Sequence, residues 1–356
     1  MIKYRKDILD TKSKSFCGAK WYNATTWLGS GTTASCHHPP AHKIPLHEIA
    51  ADPSAIHNTQ HKKAMRKMMQ RGERPRECEY CWKVEDMGND AVSDRVFKSI
   101  IYTNEDLKKA HEADFNDNTL LKTFEIAFDR TCNLACSYCN SSFSTTWAKD
   151  IKKHGPYQNM VSDGAAAFQH DGAWADPYGK KEENPYVTAF WDWWEDGLSE
   201  SLEELRVTGG EPLMSDQVWK LFDWFENNPS DMRFAVNSNL IAKESIVDRL
   251  IEKSKGVKKF HLYTSCEATG KQAEYIRDGL DYELWTNNIT RFIKEGNYEG
   301  INIMMTINSL CLFSITDFLD DVFKLKELTK SKTPVFSVNL LRFPSFQSPL
   351  ALPDHI

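Results

Sequence analysis

The chain has 356 residues, 41% of them hydrophobic and 12% aromatic, enough to bury one large core and a smaller one. A net charge of −6 gives no general attraction to phosphate backbones, so nucleic acid is not the expected partner. No apolar run approaches a membrane span, the start Met1-Ile2-Lys3-Tyr4-Arg5-Lys6-Asp7 has no signal-peptide stretch, and nine cysteines fall in tight groups; a cytoplasmic, metal-ligating protein is expected, without a membrane.

Residues 1–90 hold Cys17, Cys36, Cys78 and Cys81, with Gly31 placed so that the pattern reads C-x13-G-x4-C and then C-x2-C. Four thiolates complete a coordination shell, and by ligand count alone the metal is zinc or a closed iron–sulfur cluster. His37 and His38 read as neutral surface histidines rather than ligands. From Gln60 to Arg76 the spacing of Ala64, Met65, Met68 and Met69 predicts a helix with one apolar face, stopped by Gly72 and Pro75. Its seven Lys/Arg residues from Lys62 to Arg76 read as a solvated face or, more sharply, as a docking patch for an acidic electron carrier or an anionic substrate. Residues 91–119 are polar, with a helix near Asn104–Ala113 whose Glu105 and Asp106 suit a first turn, and read as a connecting segment.

From 120 to 356 six apolar, β-type runs follow: Phe124–Phe128, Leu205–Thr208, Arg233–Asn237, Lys259–Thr264, Ile301–Ile307 and Val335–Leu341. Between them lie helical stripes, Val218/Leu221/Phe222/Phe225, Ile246/Val247/Leu250/Ile251 and Phe318/Leu319/Val322/Phe323. This alternation predicts an α/β fold with a parallel sheet and helices outside. An insertion at about 144–201 carries the stripe Val187, Phe190, Trp191 and Trp194, read as core packing, after a stretch of weak periodicity expected to cover or select a substrate. The chain stops twelve residues after Pro344 without a sixth helix, so a longer parent protein is expected.

Directly after the first run stand Cys132, Cys136 and Cys139 at C-x3-C-x2-C, and three thiolates leave open a position that a four-cysteine set would close. Directly after the second stands Gly209-Gly210-Glu211-Pro212, where glycines admit close approach of a ligand to the backbone and a carboxylate can accept from an ammonium. With the aromatic Tyr138 before the third cysteine, this pair of motifs resembles the radical S-adenosylmethionine (radical SAM) superfamily.

The resemblance covers most of residues 15 to 345 and implies a partial (β/α)6 TIM-like barrel in which Cys132, Cys136 and Cys139 hold a catalytic [4Fe-4S] cluster. It implies that S-adenosylmethionine (SAM) chelates the open iron, with Gly209, Gly210, Glu211 and Pro212 at its amino group and Tyr138 near its adenine. Ser238 and Asn239 resemble a polar pair near SAM, Ser265 fits a ribose contact and Arg277 a partner for the SAM carboxylate, while Glu267 stands where such proteins usually have aspartate. The N-terminal pattern is similar to a SPASM/twitch extension, which implies a small twitch-like domain with an auxiliary [4Fe-4S] cluster on Cys17, Cys36, Cys78 and Cys81; in the familiar arrangement that extension follows the core. The partners implied are SAM, a low-potential electron donor such as flavodoxin or ferredoxin, and a peptide or protein substrate. The alternatives are a small molecule or nucleotide as substrate and, in another class, a non-catalytic zinc or iron–sulfur binding module. Cys266 and Cys311 read as buried thiols.

Overall fold

The computed structural model describes residues 1–88, 90–161, 163, 166–178, 182–330 and 332–353. Within the insertion expected at 144–201, positions 162, 164, 165 and 179–181 lie outside the described residues. The chain forms two units, Met1–Ile126 with Lys180–Glu204, and Ala127–Gly179 with Leu205–Ile356.

In the first unit β1 (Asn23–Trp27), β2 (Thr32–Ala34) and β3 (His42–Lys43) are antiparallel neighbours, and β4 (Thr123–Ala127) lies beside β1. Threonines suit this half-buried pleat, and the directly opposed Thr26 and Thr33 share a hydrogen bond of 3.0 Å. The core gathers Phe16, Trp21, Met69, Trp82, Val96 and Leu107 around Cys17, Cys78 and Cys81. The 91–119 stretch contributes two helices to it, Asp94–Ser99 and Asn104–Glu112, the second opened by a capping box between Thr103 and Asp106.

Helix Pro185–Trp193, in the second half of the insertion, belongs to this unit and buries Tyr186, Phe190 and Trp193. The Tyr186 ring lies against Gly31, which has φ +61°, and a Cβ there would stand 2.1 Å from the ring. A Gly31→Ala chain is therefore expected to lose about 1–3 kcal/mol by overpacking, read as a lower denaturant midpoint. An unchanged midpoint would mean that the ring gives way.

In the second unit β5 (Ala135–Cys136) and β9 (Arg277–Asp278) form a short antiparallel pair. The main sheet places β6 (Glu204–Thr208), β7 (Arg233–Ser238), β8 (Lys259–Ser265), β10 (Gly300–Ile307) and β11 (Val335–Leu340) side by side in that order. From β7 to β11 the pairings are parallel, with Phe234 opposite Phe260, Thr264 opposite Ile303 and Met305 opposite Val338. Helices Asp216–Asn227, Glu244–Ser254, Tyr282–Glu295 and Ile315–Glu327 follow β6, β7, β8 and β10, as the strand–helix alternation predicts. Alternate residues of β8 (Phe260, Leu262, Thr264) and β10 (Ile301, Ile303, Met305, Ile307) are buried, the period-two signature of a sheet whose faces differ.

One expected helical stripe is wholly buried, Val218/Leu221/Phe222/Phe225; of the second, Val247, Leu250 and Ile251 are buried and Ile246 is half-buried. On the third, Phe323 is exposed and Leu325 takes its place, because Phe318, Val322 and Leu325 keep the i, i+4, i+7 spacing. Among the described residues no helix is long and apolar enough to cross a membrane.

Candidate functional site

The second unit brings Cys132, Cys136 and Cys139 together in a loop held at both flanks. At its start the Asp129 carboxylate accepts from the Thr131 amide at 2.7 Å. On the far side, the beginning of helix Thr145–His154 closes over the loop: Ser144 Oγ donates to Leu134 O (2.6 Å), Thr146 Oγ1 to Cys132 O (2.7 Å) and Trp147 Nε1 to Cys136 O (2.9 Å). Sequence reasoning passed over these side chains. The available signal was the run Ser144-Thr145-Thr146, hydroxyls suited to capping both a helix and a loop, placed just after the last cysteine.

The Gly-Gly-Glu-Pro turn docks onto the same loop. Expected to admit a ligand, the glycines here admit backbone. A Cβ at Gly210 would lie 2.3 Å from Thr131 O, one at Gly209 (φ +127°) would lie 2.8 Å from Asp129 O, and the Glu211 amide donates to Thr131 O at 2.6 Å. The Glu211 carboxylate is buried and already holds three donors: Ser238 Oγ (2.7 Å), the Asn239 amide (2.7 Å) and the Leu213 amide (3.0 Å). Burial raises its pKa, opposed by these hydrogen bonds. Asn239 also reaches Asn133 in the cysteine loop, Nδ2 to Oδ1 at 2.9 Å. Ser238 and Asn239 thus join the glycine turn to the cysteines.

Arg277 stands opposite Cys136 in the β5–β9 pair, a register that aims its guanidinium at the thiol: Nη1 lies 3.8 Å from Cys136 Sγ. Its Nη2 donates to Glu267 at 2.6 Å in a pair with side chains 6% and 1% exposed. Tyr138 OH donates to the same carboxylate at 3.1 Å, and the guanidinium lies 5.4 Å from the Tyr138 ring. Arg277 Nε is buried with no hydrogen-bond partner among the described residues. Burial pushes Cys132 up to about 11 and Cys139 up to about 12; it raises Cys136 too, with Arg277 opposing. Three thiolates here need a cationic centre among them.

Ser265 ends β8 and is half-buried. Beside Tyr138 opens a cavity of about 360 Å³ lined by Asn140, Ala167, Phe168, Phe343 and Pro344. Cys266 and Cys311 are buried thiols hydrogen-bonded to the carbonyls of Ala268 (3.4 Å) and Asn308 (3.2 Å), as expected.

In the first unit Cys17, Cys36, Cys78 and Cys81 line one cavity with Lys20, Trp82, Asp94 and Arg95. Cys78 is the N-cap of helix Glu79–Asp86 and Cys81 sits in its first turn, where the helix dipole favours thiolates. Burial nonetheless pushes Cys78 and Cys81 up to about 12, and Cys36 upward as well.

Two expectations for this unit need correcting. His38 is not a surface residue: its ring stacks on Tyr80 at 3.9 Å and Nε2 meets Asp94 at 2.6 Å, with His37 3.5 Å from the same oxygen. Nor is the basic helix Gln60–Gln70 solvated on its cationic side. Lys62 and Arg66 are each 1% exposed while Ala64 faces solvent, so these two cations are not part of a docking patch.

No protein-family model matches the chain, and no curated protein matches it. Its fold is mixed α/β with a large parallel sheet. Among solved structures it is similar to Streptococcus suis SuiB, with 16% identity and a TM-score of 0.40 over 78% of this chain and 54% of that one. SuiB bound to S-adenosylmethionine gives 14% identity and 0.41 over 80% and 58%. anSMEcpe with bound AdoMet and a Cp18Cys peptide gives 14% and 0.31 over 61% and 51%. The chain spans about half the length of these structures. Likenesses this distant assign no chemistry, which must come from the residues themselves.

Proposed function

We propose that the chain is a radical SAM enzyme: a core from 120 onward in the form of a partial (β/α)6 barrel, with a [4Fe-4S] cluster on Cys132, Cys136 and Cys139, and a twitch-like region at 1–90 with an auxiliary cluster on Cys17, Cys36, Cys78 and Cys81. The observation that carries this is convergence on one loop. The loop that carries three half-buried thiols meets the Gly-Gly-Glu-Pro backbone through residues 129–131 on one side and Arg277 through Cys136 on the other.

The residues fit SAM at specific points. Arg277, with Nη1 and Nη2 engaged, has a buried Nε edge left for a carboxylate. Ser265, at the end of β8, would offer its hydroxyl to a ribose, and the aromatic cavity beside Tyr138 would take the adenine. A cluster held by Cys132, Cys136 and Cys139 would supply one electron for the reductive cleavage of SAM to methionine and a 5′-deoxyadenosyl radical. The chain's own tasks are positional: Ser144, Thr146 and Trp147 fix the loop, Glu211 ties it to β7, and Glu267 orients Arg277 and Tyr138. The resemblance to enzymes with SPASM/twitch extensions makes a peptide or protein the substrate of choice, with flavodoxin or ferredoxin as electron donor.

The test is anaerobic reconstitution with iron and sulfide, iron counting, and a dithionite-driven assay for 5′-deoxyadenosine. About eight irons per chain with 5′-deoxyadenosine formed is the expected result for two four-iron clusters. About four irons with turnover would give the N-terminal cysteines to zinc. Intact clusters without SAM cleavage would sink the enzymatic reading.

A further inference from the structure

The helix Gln60–Gln70 buries its cations beside the four N-terminal cysteines, and their partners do not neutralise them. Lys62 Nζ donates to Thr33 Oγ1 (2.8 Å) and Ala34 O (3.2 Å), with His57 Nδ1 at 3.4 Å. Arg66 donates to Lys20 O (3.0 Å) and Asn58 Oδ1 (2.9 Å), and its Nη2 lies 2.7 Å from His57 Nε2. All of these acceptors are uncharged. The third cation, Lys20, is 2% exposed and pairs with Glu77. Lys20 takes the one carboxylate; burial, with Arg66 and Lys20 beside it, pushes the Lys62 ammonium well below its usual pKa, and burial takes Arg66 down to about 9, so keeping these cations charged calls for a further anion.

The thiols of this unit, once ionised on a metal centre, would supply such an anion. Lys62 feels Cys36, and Lys20 feels both Cys36 and Cys78 while itself lining the cysteine cavity. A doubly positive core held by four thiolates carries two negative charges, and a third once it is reduced. That charge has the right sign and size to balance the surplus.

We propose that Lys20, Lys62 and Arg66 are the built-in counter-charge of an anionic four-thiolate centre on Cys17, Cys36, Cys78 and Cys81, and that they favour its reduced form, so that this centre accepts an electron rather than supplies one. This rests on the auxiliary cluster proposed above. The reduction adds one electron to the cluster core and no proton, so its energy responds directly to fixed positive charge nearby. Lys62 and Arg66 are positioning charges: neither is within hydrogen-bond reach of a cysteine sulfur.

The experiment uses the full chain with Cys132, Cys136 and Cys139 all replaced by alanine, so that only the N-terminal centre loads, and follows its reduction by dithionite titration and electron paramagnetic resonance. Lys62→Met is expected to shift the reduced-to-oxidised ratio at fixed potential at least tenfold toward the oxidised form, about 59 mV for one electron. Lys62→Arg should restore the parent value, and Arg66→Met should move it in the same direction as Lys62→Met. Without metal the signs reverse: the Lys62→Met apoprotein should melt above the parent apoprotein, since a buried amine with only uncharged partners is gone. Iron loading with a potential indifferent to both Lys62→Met and Arg66→Met would overturn the inference alone. A chain that loads no iron at these four cysteines would overturn the auxiliary cluster beneath it.

Discussion

Replacing Cys136 by alanine is expected to lower 5′-deoxyadenosine formation by on the order of a thousandfold or more, because without the cluster the reaction has no electron source. The effect should be larger than loss of one thiol's contacts implies. Cys136 is the sulfur that Arg277 faces, and its carbonyl holds Trp147. With that sulfur gone, two thiols remain for a cluster that needs three, and the guanidinium loses the anion it was placed against. Iron counting should show that about half the iron is retained, that of the N-terminal cluster. The control is Cys311→Ala, a buried thiol hydrogen-bonded to Asn308, where a small destabilisation of about 1 kcal/mol and unchanged iron are expected. Retained SAM cleavage in the Cys136→Ala chain would remove the core assignment.

What was legible beforehand was local. Three cysteines within eight residues, a Gly-Gly-Glu-Pro turn after a β-type run and the strand–helix alternation could all be read from short windows. What was not legible depended on pairings across long separations. Gly209 and Gly210 were read as space for a ligand, but the space is filled by the backbone of residues 129–131, and no local pattern states which chain segment will approach. Arg277 opposite Cys136 is a register fact, joining residues 141 apart. The helix Gln60–Gln70 shows why periodicity misled. Lys62, Arg66 and Met69 share one face at i, i+4 and i+7, as do the residues of an ordinary apolar stripe, but hydrophobicity alone ranks the Ala64/Met65/Met68 face inward. The inward turn of the cations follows from Thr33, Ala34, Asn58 and His57, distant acceptors that only the folded unit assembles.

Glu267→Ala is the second substitution with a large expected effect, and its two readouts should diverge. Glu267 forms an ion pair with Arg277, the two side chains 1% and 6% exposed. Removing it leaves a buried guanidinium facing a thiol at 3.8 Å and the Tyr138 ring at 5.4 Å, with its carboxylate gone, a change expected to cost about 3–5 kcal/mol. Glu267→Gln keeps an oxygen acceptor for Arg277 and Tyr138 and should lose less. Denaturant unfolding of the unliganded chains would rank parent, Gln and Ala in that order. Adding SAM should then stabilise the Ala chain more than the parent, because the ligand's carboxylate would fill the place that Glu267 vacated, whereas in the parent it can use only the Nε edge of Arg277. Equal stabilisation by SAM in both chains would place its carboxylate away from Arg277, and an Ala chain as stable as the parent would mean that the pair contributes nothing to the fold.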